Sequence, residues 1–172
     1  MKTIDPTSQA HRAGPPATTQ NTINVAIESV DQPDVRGLIA ELDAYQTALY
    51  PPESNHLLDI TALKAPHVLF AVARDANQTA VGCGAVVLLD GYGELKRMFV
   101  PPEQRGRGIA KAIMAHLEVL SAQRACYLLR LETGILQTDA HGLYARAGYV
   151  RCGRYGDYPD DPLSVFMEKR IA

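Results

Sequence analysis

Tryptophan is absent from the chain, and cysteine is scarce at three residues in 172. Cys83, Cys126 and Cys152 are odd in number, far apart and outside any CxxC or Cys/His ligand spacing. That pattern argues against a disulfide framework or a metal module. Small buried hydrophobes are the default reading of these thiols, with a reactive thiol as the alternative. No apolar run approaches the ~20 residues that span a bilayer, and the N-terminus lacks the apolar core of a signal peptide. The expectation is a reduced, cytoplasmic protein without a metal. An excess of one charge is missing too: 17 Lys and Arg face 19 Asp and Glu, for a formal net charge of -2. Neither nucleic acid nor a membrane surface is an expected partner, so any anion site must be local.

What is present suits one compact domain, with 47% hydrophobic residues available for a core. Residues 1–21 are polar and carry Pro6, Gly14, Pro15 and Pro16. Such a segment buries too little apolar surface to offset ordering, so it reads as a flexible arm before a domain over 22–172. Alternation at Ile23, Val25 and Ile27 predicts a first strand. Helical spacing over Asp34 to Tyr50 predicts a helix that Pro51-Pro52 must end. A short second helix is expected over Leu57 to Leu63. Three apolar runs, Val68 to Ala73, Val81 to Leu89 and Tyr92 to Val100, read as an antiparallel meander with turn chemistry between them. A helix over about Gly106 to Arg124, a strand at Tyr127 to Leu131 and a helix over Leu136 to Ala147 follow. Gly142 inside that last helix either relieves crowding or weakens it. Two final strands, Tyr149 to Cys152 and Val165 to Ile171, flank a Gly/Tyr/Asp/Pro-rich loop. The whole is a mixed α/β domain, and its two late strand-to-helix junctions are where chemistry is expected.

The first of those junctions runs Val100-Pro101-Pro102-Glu103-Gln104-Arg105-Gly106-Arg107-Gly108-Ile109-Ala110-Lys111. Prolines close the strand, and glycines at the helix start allow the backbone to approach a ligand with its N–H groups inward. Free donors and the positive end of the helix dipole favour an anion, with Arg105, Arg107 and Lys111 around it. A diphosphate fits such a cradle. The spacing matches neither a GxxxxGK[ST] loop nor GxGxxG. A solvated basic turn is the plain alternative.

Arg105-x-x-Gly108-x-Ala110 resembles the acetyl-CoA loop of the GNAT superfamily of N-acetyltransferases. Glu94-Leu95-Lys96-Arg97-Met98-Phe99-Val100 is similar to that family's fourth strand, and Leu143-Tyr144-Ala145-Arg146-Ala147-Gly148-Tyr149 to its later LYxxxGF/Y segment. Leu131-Glu132-Thr133-Gly134 and Asp161 to Lys169 resemble one bacterial branch. The resemblance implies a GNAT fold, a mostly antiparallel sheet flanked by about four helices and splayed between its fourth and fifth strands. It implies acetyl-CoA as donor and CoA as product, transfer being direct in a ternary complex. Met98, Phe99 and Val100 would meet the pantetheine arm, and Gly106, Arg107, Gly108, Ile109, Ala110 and Lys111, with Arg105, would hold the pyrophosphate. Tyr144 resembles the family tyrosine that offers a proton to the CoA sulfur, a packed core tyrosine being the alternative. Glu94 is the implied base for an amine that is mostly protonated at neutral pH. Its alternative is a simple pair with Lys96, in which case Tyr92 and a water chain would serve.

The acceptor side is less legible. Tyr50, Glu53 and His56 cluster after the first helix, and Tyr155 and Tyr158 lie in the last loop among carboxylates that favour a cationic amine. Solvated loops would explain the same residues. The expected partner is a small-molecule amine or a peptide amine, and a homodimer is the default assembly for a soluble enzyme. A non-catalytic acyl-CoA sensor on the same fold, or a phosphate-binding interaction module, are the rival functions.

Overall fold

The structure is a computed structural model that describes residues 22–172; the expected arm at 1–21 lies outside the described residues. In chain order it contains β1 (Asn24–Ile27), α1 (Pro33–Leu49), β2 (Val68–Arg74), β3 (Ala80–Leu88), β4 (Gly93–Phe99), α2 (Ile109–Gln123), β5 (Leu128–Gly134), α3 (Thr138–Arg146), β6 (Val150–Arg151) and β7 (Ser164–Arg170). The strands form one sheet in the order β1-β2-β3-β4-β5-β7-β6. Every pairing is antiparallel except that of β4 with β5. The mixed, mostly antiparallel sheet is the one expected.

The expected count of about four helices is corrected to three α-helices among the described residues. The Leu57 to Leu63 helix is instead irregular chain and a turn leading into one 3₁₀ turn at Ala62–Lys64. The Asp59 carboxylate accepts from the Ala62 N–H at 2.8 Å and starts that turn. Pro66 biases Ala65 away from helical geometry, so the turn cannot propagate. Gly142 does sit within α3, where an added Cβ would meet only the Arg146 side chain.

Packing follows the two periodicities. On β2, Leu69, Ala71 and Ala73 face one cluster while Phe70 and Val72 face the other. α1 buries Val35, Leu38, Ile39 and Leu42 on the Phe70 side. α2 buries Ile109, Ile113, Met114 and Leu117 on the opposite side, where Tyr144 of α3 joins them. Each such side chain contributes roughly 1.5–3 kcal/mol of burial. No helix among the described residues is long and apolar enough to cross a membrane.

Two irregularities prepare the site. β4 and β5 pair only from Gly93↔Leu129 to Leu95↔Leu131, and then diverge. On its other edge β4 bulges against β3: Ala85 pairs Lys96 and Cys83 pairs Phe99, so Arg97 and Met98 together face Gly84. Arg97 carries the bulge with φ of +56°, a left-handed value uncommon for a side-chain-bearing residue. An added Cβ at Gly84 would lie 2.3 Å from Met98 Sδ and 2.9 Å from Ile113 Cγ2. Gly84 therefore lets α2 and the bulge close on one another. Gly84→Ala is expected to destabilise the fold by about 1–3 kcal/mol, the usual range for overpacking, read as a lower midpoint in urea unfolding. An unchanged midpoint would show that the bulge tolerates a methyl group.

Candidate active site

The loop after β4 has the geometry of an anion cradle. Gly106 and Gly108 both hold φ of +77°, the left-handed region where glycine carries no steric penalty. Gly108 is the N-cap of α2, and the first backbone bond back to it is Ala112 N–H to Gly108 O at 3.0 Å. The N–H groups of Ile109, Ala110 and Lys111 thus precede the first helical bond. Ile109 turns its side chain into the core and can offer only backbone. Arg105 and Lys111 are exposed at the mouth, and Arg105 Nε donates to Val100 O at 3.2 Å. Arg107 is held by Gln104.

From that loop a cavity of about 210 Å³ runs into the gap that β4 leaves beside α3, beyond its last pairing with β5. Met98, Phe99, Val100, Arg105 and Ala110 form one wall, and α3 with the turn before it forms the other through Gln137, Ala140, Leu143 and Tyr144. Beyond Leu95 the β4 edge that faces this gap has no ladder partner. Tyr144 is buried and packs edge-on against Tyr149. Burial pushes the Tyr144 phenol up, and the Glu132 charge adds to the shift, so the hydroxyl keeps its proton.

A second, polar cavity shares Met98, Gln137, Ala140 and Tyr144 with the first. Tyr50, His56, Lys96 and Glu132 line it. Tyr50 is buried and fixes this wall: its oxygen accepts from Leu136 N–H at 3.0 Å. An added Cβ at Gly134 would sit 2.0 Å from that ring, so glycine there admits it. Gln46 Oε1 and His56 Nε2 are buried in this cavity without partners among the described residues. Glu132 Oε1 accepts from Ser164 Oγ at 2.6 Å. Burial raises the Glu132 carboxyl above its ordinary range, an effect only partly offset by Ser164, His56 and Lys96.

Glu94 occupies a different setting. Its Oε1 accepts from Tyr155 at 3.1 Å and from Tyr158, and Lys96 Nζ lies 3.2 Å away. The Lys96 pair considered from the sequence is therefore formed. Tyr155 packs edge-on against Tyr92, Tyr158 and Phe166, and Tyr158 against His56. The 152–163 loop is thereby held across the β4–β5–β7 face. Glu94, Tyr92 and Tyr158 border a third, open cleft that meets the polar cavity at His56 and Lys96. Glu53 stands exposed on the 3₁₀ turn Pro52–Ser54 and lines none of the three cavities.

The sequence matches the acetyltransferase (GNAT) family over residues 35–149. This chain belongs to the GNAT acetyltransferase family. It is 45% identical over 151 residues to an IAA acetyltransferase from Azospirillum brasilense, covering 87% of this chain and 98% of that protein. An uncharacterised N-acetyltransferase of Escherichia coli, YedL, is 36% identical over 146 residues, covering 83% and 91%. Among solved structures, one from Klebsiella pneumoniae assigned as an acyl-CoA N-acyltransferase superposes with a TM-score of 0.73 at 38% identity, covering 90% of this chain and 99% of that one. PaiA N-acetyltransferase from Thermoplasma acidophilum, solved with coenzyme A, shares the fold at a TM-score of 0.67 and 19% identity, covering 87% and 99%. The GNAT chain is accordingly an acyltransferase, and the mostly antiparallel sheet with its parallel β4–β5 pair is the fold of these neighbours.

Within the GNAT frame, sequence reading passed over Glu132 and Arg97. Glu132 had a usable signal: Leu129, Leu131 and Thr133 alternate inward, which puts Glu132 on the other face near the carboxyl end of a parallel strand. Arg97 had none, since its role depends on a bulge. It is only 7% exposed, its Nε donates to Leu58 O at 2.7 Å, and it also binds Asp43. Arg97 thus ties the bulged strand β4 to α1 and to the loop that carries His56. Arg97→Met is expected to cost about 1–3 kcal/mol through the unsatisfied Leu58 carbonyl and to weaken CoA binding at least ~10-fold, about 1.4 kcal/mol. Calorimetry on the folded variant checks this, and unaltered CoA affinity would remove Arg97 from the site's support.

Proposed function

We propose that this chain transfers the acetyl group of acetyl-CoA to a primary amine, by direct attack with both substrates bound. The observation that carries this reading is the continuity of three spaces: an anion cradle at the start of α2, an apolar slot between β4 and β5, and a polar cavity joined to it at Tyr144. Acetyl-CoA supplies the activated acetyl thioester. A diphosphate suits the N–H groups of residues 106–111 with Arg105 and Lys111. The unpaired β4 edge at Met98 and Val100 suits the amides of a pantetheine arm, since buried backbone groups need partners. Solved relatives of the same fold that hold CoA or acetyl-CoA support the choice of donor.

The residues divide the work by position. A β4 N–H near Met98 polarises the carbonyl that reacts. Tyr144, whose phenol stays protonated, offers its O–H to the departing sulfur. The amine enters from the polar cavity, lined by Tyr50 and His56 and bordered by the Tyr158 loop. No covalent enzyme intermediate is required: Cys83 is buried with its thiol pushed up to about 12, mainly by burial, and is a poor nucleophile.

Calorimetric titration with acetyl-CoA, CoA and ATP tests the donor, followed by thiol release against a panel of primary amines. Both CoA species are expected to bind and ATP to give no heat. Arg105→Ala with Gly108→Asp should weaken CoA at least ~10-fold. Tyr144→Phe should lower kcat and leave the CoA Kd within about twofold, as for an interaction made only in the transition state. A folded protein that binds neither CoA species overturns the proposal, whereas CoA binding without turnover of any amine identifies a sensor.

A further inference from the structure

We infer that Glu132 is the catalytic base, receiving the acceptor as its ammonium and taking its proton, and that Glu94 is a positioning residue for the covering loop. The inference rests on the acetyl-transfer reading above and names the proton acceptor that reading needs. Three observations carry it.

The first is placement. Glu132 follows Leu131, the last residue of β5 paired with β4, so it stands where the strands have parted. Its cavity shares Met98 and Tyr144 with the slot proposed for the pantetheine arm. The second is vacancy of hydrogen-bonding capacity. Ser164 occupies one Glu132 oxygen, and the other has no donor among the described residues. Gln46 Oε1 and His56 Nε2 are buried and unpartnered in the same cavity. The cavity therefore presents open acceptors at Gln46 and Glu132, with His56 beside them, to the N–H donors of a primary ammonium. The third is contrast. Glu94 lies at the third cleft, and its Oε1 is already engaged by two phenols and the Lys96 ammonium. Those same contacts hold Tyr155 and Tyr158, and with them the loop, over the acceptor face.

The charges around Glu132 fix the sign of its pH dependence. Glu94 and Lys96 face it from β4, His56 from the loop after α1, and Ser164 hydrogen-bonds it from β7. Four phenols also feel its charge: Tyr50, Tyr144, Tyr155 and Tyr158. Burial is the largest influence and raises the carboxyl, Glu94 reinforces it, and Ser164, His56 and Lys96 oppose it. The base form therefore forms at higher pH than for an ordinary glutamate, and the rate must rise as pH climbs through that raised value. A base nearer the working pH is also the stronger one.

One proton passes from the ammonium to Glu132 and on to solvent. The freed amine nitrogen then forms the N–C bond as the C–S bond breaks, and the second proton leaves nitrogen as the sulfur gains one beside Tyr144. The products are the N-acetylated amine, CoA thiol and one released proton.

The test compares wild type, Glu132→Gln, Glu132→Asp and Glu94→Gln. CoA affinity is measured first. Thiol release from acetyl-CoA follows, with 1,4-diaminobutane, 2-phenylethylamine, glycinamide and glucosamine as probes between about pH 5.5 and 9.5, the span in which such a base titrates. All four proteins are expected to bind CoA alike. Glu132→Gln should lose ~100-fold or more in kcat/KM together with the acidic limb of the pH profile, and Glu132→Asp should restore the limb. Glu94→Gln should keep the limb and change mainly KM. An acidic limb that survives in Glu132→Gln, or one lost in Glu94→Gln, overturns the inference. Wild type that fails to bind CoA overturns the acetyl-transfer reading itself, a result visible before any amine is added. Wild type that binds CoA and turns over none of the probes also overturns the inference, since a catalytic base requires an amine that it deprotonates.

Discussion

The parting of β4 from β5 after three paired residues is the constraint on which the rest of the site depends. A parallel pair that ran on would satisfy its own backbone and leave no slot. Here β4 is bent by a bulge whose central residue, Arg97, is held on the far side by Asp43 and the Leu58 carbonyl. β5, by contrast, is paired along its whole length with β7. One strand is pulled toward α1 while the other is kept in its ladder, and the gap between them becomes a cavity lined by unpaired backbone. Gly84 makes the arrangement possible by admitting Met98 and Ile113 where a side chain would stand.

Both helices that follow these strands exploit the gap. α2 begins directly beyond β4, so its unsatisfied N–H groups lie at the mouth, and the left-handed glycines turn them outward. α3 begins beyond β5 and returns Tyr144 to the interior between the two cavities. Tyr50, packed on Gly134 and bound to Leu136, locks the end of α1 to the turn that aims α3. The polar cavity is thus bounded by elements distant in sequence, such as the end of α1 and the turn before α3, which Tyr50 joins.

The two glutamates on this face show how surroundings divide similar groups. Glu94 is matched by Lys96 and two phenols and serves as a fixed point for the covering loop. Glu132, one strand away, has a single hydroxyl partner and a carboxyl raised by burial. A buried carboxylate left short of donors, as Glu132 is, is poised to accept a proton.

Much of the fold was written in local patterns. Alternation in β1, the apolar run of β2, helical spacing in α1 and α2, proline after α1 and glycine at Gly108 specify elements through forces that act within a few residues. The cradle at residues 105–111 was legible for the same reason, since glycine geometry and helix-end donors are local properties. The failures have the opposite character. The Leu57 to Leu63 segment has an apolar pattern fit for a helix, but Asp59 and Pro66 confine it to one turn. Which glutamate is left short of donors, where Arg97 finds its partners, and that Tyr50 reaches Gly134 were decided by tertiary structure alone. Hydrogen-bond saturation and burial are set by residues 39 to 86 positions away in the chain, at Leu58 and Tyr50 among others, and no local pattern carries that information.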